Sequence, residues 1–279
     1  DDHAALLAAA GLLHDIGKVL EPAGVELAAT DLGMEAVICP TREGRYTHRH
    51  VLYTAYALER ARSNFGGLNR EALFKAAWHH HRPSPGDRDR YIVTDADRLA
   101  SGHDRRAVGE GTKPATNTYD EITRVTGLRS IWAGFYKFTA DPGSAQFLPA
   151  AAQSFTPEGF LPQTQPAWDD YRASCRTLAA TMAEGLDTPF NNPTACVEGL
   201  MGLLERTCHA VPASRSKTEV PDVSLFDHSR IVAAFAAALA HQDDGTHESS
   251  GPRFRLVGLS LGSIQSFIFR QEPEVDGAG

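Results

Sequence analysis

The chain has 279 residues, 42% of them hydrophobic, and a formal net charge of −8, enough apolar material for one large domain or a domain plus a fragment. The acidic balance excludes a protein that grips long nucleic acid by bulk electrostatics alone; a polyanionic ligand would need local arginines, a metal or partner subunits. Cys39, Cys175, Cys196 and Cys208 are scattered without a C-x-x-C pair, so neither a zinc knuckle nor a disulfide framework is signalled.

The N-terminus lacks the basic start of a signal peptide, and no unbroken apolar run reaches the roughly 18 residues of a membrane span. A cytoplasmic chain with no membrane partner is expected. Residues 4–13 are strong helix formers and read as a buried helix that delivers His14 and Asp15 at its C-terminal end, with Gly17 permitting a tight departure. A polar stretch rich in Gly and Pro follows to Thr47. His50 to Arg62 then reads as a helix with Leu52, Ala55, Tyr56 and Leu58 on one side and His50 in its first turn.

Arg70 to His81 reads as a third helix, stopped by Pro83, Pro85 and Gly86, so that His79, His80 and His81 crowd its last turn. Tyr91 to Ala100 reads as a fourth, carrying Asp97 between Ala96 and Leu99. From Gly109 to about Pro166 no period is sustained, which predicts loops or short strands. Helices resume at Trp168 to Glu184 and Pro193 to Cys208. After a polar linker, Val223 to His241 forms an Ala-rich helix with Ile231, Ala234, Phe235 and Ala238 as its packing face. Finally Phe254 to Ser260 resembles a strand that leads through Gly262 into a helix at Ile264 to Phe269; one strand and one helix cannot bury themselves without further sheet.

Imidazole nitrogens with carboxylate oxygens make a borderline ligand set suited to Mn, Fe, Co, Ni or Zn, whereas an all-oxygen shell would have pointed to Mg or Ca; of these Mn is expected first, with Ni or Co as alternatives, as one or two ions. His14 and Asp15, closing an apolar helix and followed by Ile16-Gly17-Lys18, are the signature of an HD-type metal-dependent phosphohydrolase. Lys18, about one turn beyond, is placed to neutralise a phosphate or a ligating carboxylate, which puts it with His14 and Asp15 among the catalytic candidates. Of His48 and His50, two apart near a helix start, His50 is the expected ligand. In the run 79–81, helical neighbours project roughly 100° apart, so no more than two address one pocket, and the flanking Trp78 favours His79 and His80. Asp97 is the best downstream carboxylate, because a charge beside core residues is costly unless a partner meets it. Asp227 and His228 open the last long helix, Asp227 as a cap and His228 facing inward.

Together these residues resemble the first part of the large Cas10 subunit, Csm1 type, of type III-A CRISPR effector complexes. The resemblance is carried by Gly11-Leu12-Leu13-His14-Asp15-Ile16-Gly17-Lys18, by Ala96-Asp97-Arg98-Leu99-Ala100-Ser101-Gly102-His103-Asp104-Arg105-Arg106, by Val223 to Arg230, and by Gly262 to Phe269. It implies a mainly α fold: a circularly permuted HD-type helical domain followed by the first strand and helix of a ferredoxin-like palm. The implied boundaries are 1–110 for the HD core, 111–221 for an insertion and linker, 222–245 for the helix that completes the permuted domain and raises His228 to a site residue, and 253–279 for the palm start.

The resemblance further implies a metal-dependent nuclease for single-stranded DNA that works with guide RNA and smaller Cas subunits. The residue reading and this resemblance together put His14, Asp15, His50, His79, His80, Asp97 and His228 around the metal, and Arg82, Arg98, Arg105, Arg106 and Lys18 are candidates to meet the phosphates. One departure stands out. Where the family reads Asp-x-Ser-Gly-Ile-Gln, this chain has Ser260-Leu261-Gly262-Ser263-Ile264-Gln265, and it carries no Gly-Gly-Asp-Asp motif. Two other readings share the residues: an HD nucleotide phosphohydrolase, which needs a closed nucleotide pocket, and an idle structural module that docks other subunits.

Overall fold

Asp2–Leu13 (α1) is apolar on nearly every side, and a helix of that kind must be enclosed by others. In the computed structural model, which describes residues 1–84, 86–104, 168–214 and 223–241, α1 is the central element. The chain divides into two compact units, Asp1–Asp243 and Asp244–Gly279, and every described residue belongs to the first. The palm strand and helix expected over 253–279, the irregular segment expected over 109–166, Arg105 and Arg106 all lie outside the described residues.

After α1 the chain continues through Gly17–Leu20 (α2), Ala29–Gly33 (α3), Glu35–Ile38 (α4), a hairpin of Thr41–Arg42 (β1) and Arg45–Tyr46 (β2), and His50–Arg60 (α5). The stretch read as a polar connection to Thr47 therefore holds three short helices and the hairpin. Helices this short depend on tertiary contacts for stability, and their sequence carries no period long enough to detect. Beyond a 3-10 turn at Phe65–Gly67 come Arg70–Trp78 (α6), Arg88–Asp104 (α7), Trp168–Leu186 (α8), Pro193–Cys208 (α9) and Leu225–Ala240 (α10). Among the described residues, the antiparallel β1–β2 pair is the only sheet.

Around α1 the packing is closest with α10, then with α9, α6 and α7, while α10 also packs on α7 and α2 packs on α5. Gly11 makes the α1–α10 crossing possible: a Cβ there would lie 2.9 Å from the Ala233 Cα. The buried face of α10 is Leu225, His228, Ser229, Val232, Ala233, Ala236 and Leu239. The expected face of Ile231, Ala234, Phe235 and Ala238 is not the one used, and Ala234 is exposed. An Ala-rich helix is apolar in several directions, so composition alone did not select the direction; docking on α1 and α7 did. The cap differs too. Ser224, not Asp227, is the N-cap, accepting from the Asp227 N–H at 3.0 Å.

Asp2–Leu20 is long and apolar enough to cross a membrane, but 83% of its window is buried inside the structure, which accounts for its character as a core element.

Candidate metal centre

The ends of four helices and the middle of a fifth meet at Asp15. His14 and Asp15 leave α1 in right-handed helical backbone, with His14 at φ −56° and Ile16 at φ −58°. Gly17 has no positive φ, so its value is not a tight departure. A Cβ at Gly17 would lie 1.9 Å from the His50 carbonyl oxygen and 2.7 Å from the Thr54 nitrogen; glycine lets the start of α5 approach α2 at backbone distance. Thr54 seals the junction, donating its hydroxyl to the His14 carbonyl at 3.1 Å and accepting from the Gly17 N–H at 3.0 Å.

This approach carries His50 to Asp15, Nε2 to Oδ1 at 2.9 Å. His80 Nε2 stands 3.6 Å from the same oxygen. On the other side of the carboxylate, His14 Nε2 is 3.2 Å and His228 Nε2 3.8 Å from Asp15 Oδ2. Asp97 closes that side, 3.2 Å from His228 Nε2 and 3.7 Å from His14 Nε2. Two sets of donor atoms share Asp15: Asp15, His50, His80 and His81, and His14, Asp15 and His228.

The orientation of two imidazoles is fixed from behind. His14 Nδ1 meets the Gly11 carbonyl at 2.7 Å, and His80 Nδ1 the Ala77 carbonyl at 2.6 Å. A ring that donates from Nδ1 presents the Nε2 lone pair inward, the arrangement of a metal-ligating histidine with its outer hydrogen bond. The inward atoms His14 Nε2, His80 Nε2 and Asp15 Oδ1 are buried and make no hydrogen bond. His81 Nε2 and His50 Nε2 face one another at 3.2 Å. Buried polar atoms left in this state are rare unless something else satisfies them, and nitrogen lone pairs converging with carboxylate oxygens are what a divalent cation satisfies. The residues fit a metal.

Electrostatics agree. Burial disfavours charge on His14, but Asp15 and Asp97 outweigh it and raise the imidazole to about 10. Burial likewise opposes ionisation of Asp15, yet His14, Lys18 and His50 hold its carboxyl well below the usual carboxylate range. Asp97 is held low against burial by the neighbouring His14 and His228 imidazoles. His50 goes the other way, pushed by burial down to about 3 despite Asp15. The centre thus keeps two carboxylates ionised and demands positive charge between them, supplied by a proton on His14 where no ion is bound.

Lys18 reaches back to Asp15 Oδ2 at 2.5 Å and to the Ala213 carbonyl at 2.8 Å, so of its two expected partners the structure pairs it with the carboxylate. His79 is not brought to the centre. The helix stops at Trp78, and His79 at φ −91°, ψ 3° is already outside it, so helical projection does not hold across 79–81. His81 turns to His50, while His79 sits among Arg90, Arg82 and Asp87. The triple-histidine run was the signal for His81; the helix end was what the sequence misplaced.

Arg82 is also elsewhere, donating to the Ala36 carbonyl at 2.5 Å and the Cys39 carbonyl at 3.1 Å, which ties the turn after α6 to α4. Arg98 projects from α7 with its side chain 71% exposed, 3.7 Å from Asp95. Thr54 and the Ser101 hydroxyl, which lies 3.2 Å from Asp97 Oδ1, had no signature in the sequence.

The HD-domain family model matches residues 1–102, the segment that supplies His14, Asp15, His50, His80, His81 and Asp97. The centre's remaining imidazole, His228, comes from far outside the matched segment, carried in by α10. Over 276 residues the chain is 26% identical to the CRISPR system single-strand-specific deoxyribonuclease Cas10/Csm1 (subtype III-A) of Streptococcus thermophilus, covering 92% of this chain and 32% of that protein. It is 23% identical to the protein of the same description from Mycobacterium tuberculosis, over 92% of this chain and 33% of that one. The chain therefore spans about a third of the length of these relatives. In fold it is similar to the crystal structure of Csm1 in T. onnurineus, at a TM-score of 0.51 and 22% identity, covering 85% of this chain and 28% of that one.

Proposed function

We propose that this chain is the nuclease-bearing part of a type III-A CRISPR effector large subunit, and that its HD domain cleaves single-stranded DNA with a divalent transition metal. The observation that carries the reading is the convergence on Asp15 of buried imidazole nitrogens and carboxylate oxygens, several without any hydrogen-bond partner. The relatives, described as single-strand-specific deoxyribonucleases, supply the substrate class. Residues 1–110 with 222–245 make the HD domain, 111–221 an insertion, and 253–279 the start of a palm domain. The partners are other Cas subunits and guide RNA, in the cytoplasm.

In this reading Asp15, His50, His80 and His81 would hold one ion, Mn first with Ni or Co as alternatives, and His14, Asp15, His228 and Asp97 would offer a second position. A divalent ion in such a shell polarises a phosphoryl oxygen and makes water nucleophilic at neutral pH, as in-line attack on a phosphodiester requires. The protein's own residues prepare that centre. The Gly11 and Ala77 carbonyls hold the two rings in their tautomer, and Thr54 fixes the turn that carries His14 and Asp15. Lys18 keeps Asp15 ionised and docked to the Ala213 carbonyl.

The test is to incubate the chain with labelled single- and double-stranded DNA, adding Mn, Ni, Co or Mg in turn, beside a His14→Ala/Asp15→Ala control. Metal-dependent cutting of single strands, absent in the control, supports the reading. Hydrolysis of nucleotides but not strands would favour a nucleotide phosphohydrolase, and no turnover with any metal an idle docking module.

A further inference from the structure

Most cations among the described residues are already occupied. Arg49 is paired with Glu35, Arg60 with Asp31, Arg62 with Asp187, Arg90 with Asp87 and Arg230 with Asp227, while Arg70 and Arg82 are spent on backbone carbonyls. Arg176 and Arg206 are exposed singly on α8 and α9, whereas Arg42 and Arg45 come as a pair. Both are exposed, neither has an ion-pair partner among the described residues, and the hairpin register sets them directly opposite each other.

Like charges directly opposite on an antiparallel pair destabilise it. The turn between them adds strain, because Glu43 at φ 51° and Gly44 at φ 75° are both left-handed and only the glycine accepts that without cost. Two unfavourable terms therefore meet in a six-residue hairpin that contributes little to the core. A bound polyanion would turn the first of them into an attraction.

The hairpin also leads directly to the metal centre. Its base is closed by the Thr47 N–H on the Pro40 carbonyl at 2.8 Å. His48 follows, in left-handed backbone at φ 55°, its Nδ1 3.0 Å from the Thr47 hydroxyl and its ring centroid 4.1 Å from that of His81. His81 in turn faces His50. The exposed arginine pair is thus joined to the buried donors by an unbroken row of contacts: Thr47, His48, His81, His50.

We infer that the β1–β2 hairpin grips the phosphate backbone of a single-stranded DNA through Arg42 and Arg45 and leads the strand past His48 to the Asp15–His50 centre. The inference rests on the nuclease reading above and deepens it, placing the substrate grip on residues other than Arg82 and Arg98.

The test uses the full chain in EDTA, so that nothing is cut, and follows a short labelled oligothymidylate by fluorescence anisotropy across a salt series. Single-strand binding loses roughly 0.7 of log–log salt slope for each phosphate contact removed, so Arg42→Gln/Arg45→Gln should lower the slope by about 1.4 and weaken low-salt binding about tenfold. Arg42→Lys/Arg45→Lys should keep the slope. With metal restored, KM for the strand should rise more than kcat falls in the glutamine variant, and its Mn-induced rise in Tm should match that of the parent chain. If the parent chain cuts single strands and the glutamine variant binds and cuts with the same slope, the grip is overturned and the nuclease stands. A parent chain that cuts nothing with any metal but binds with this arginine dependence overturns the nuclease reading and leaves the grip; one that neither cuts nor binds overturns both.

Discussion

Gly17 and His50 touch through their backbones: a Cβ on Gly17 would stand 1.9 Å from the His50 carbonyl oxygen. Any side chain at 17 must push α5 away from α2, and with it the imidazole that lies 2.9 Å from Asp15. Gly17→Ala should therefore cost about 1–3 kcal/mol of stability, the usual range for overpacking a close contact, and should shrink the Mn-induced rise in Tm. Gly102→Ala is the counterpart. It lies in α7 with nothing within 4 Å of the added carbon, so alanine should be neutral or stabilise by about 0.5–1 kcal/mol. Thermal melts of both variants, with and without Mn, check the pair.

Lys18 bonds the carboxylate that would ligate the metal. Replacing it with methionine removes a positive charge from beside Asp15 without touching a candidate ligand. Metal affinity should be kept or increased, while turnover on single-stranded DNA falls, by about tenfold or more if Lys18 neutralises charge during attack. Calorimetric titration with Mn beside rate measurements separates the two effects; loss of metal binding would contradict the assignment.

The metal-free protein should lose stability in mild acid. Burial pushes His50 down to about 3 and His79 down to about 4. A histidine with a depressed folded pKa contributes its full stability above its unfolded value of 6.5 and loses it as pH falls toward the folded value. His14, raised to about 10, has the opposite sign: its contribution is complete below 6.5 and is lost as pH rises through 10. Asp15 and Asp97, held low, lose theirs only as pH falls below 3.8. Between pH 6.5 and 4.5 the depressed histidines therefore dominate. Melting in EDTA should show Tm falling across that window, with His79→Gln removing about 2 kcal/mol of the loss at pH 5.

Ser224 and His228 lie one turn apart at the start of α10. Ser224→Ala removes the N-cap oxygen and should cost about 1 kcal/mol while leaving the Mn response largely in place. His228→Ala should instead spare most of the stability of the metal-free chain and reduce the Mn-induced shift. Side-by-side melts would show whether α10 serves the centre through its histidine or only through its packing.

Several features of the centre were legible because they depend on short-range chemistry. An apolar helix that ends in His14-Asp15 has to bury a charge beside its core, and Asp97 between Ala96 and Leu99 has the same problem. Such groups need partners, and the structure makes them partners of one another. His79 illustrates the limit. Periodicity gives the faces of a helix but not the residue at which it stops, and an end misplaced by three residues exchanged His79 for His81.

The sequence by itself determined the helical class, the helix that delivers His14 and Asp15, and the residue types of a borderline metal shell, since each follows from local propensity or from the cost of isolating a charge. Tertiary structure decided which face of α10 is buried, that Gly17 serves a backbone contact rather than a turn, that Arg82 is tied to α4, and that Arg42 and Arg45 have no ion-pair partner among the described residues and stand at the end of a path to the centre. Those outcomes depend on which segments dock against which, and docking is settled by shape and packing between residues far apart in the chain, which no local pattern encodes.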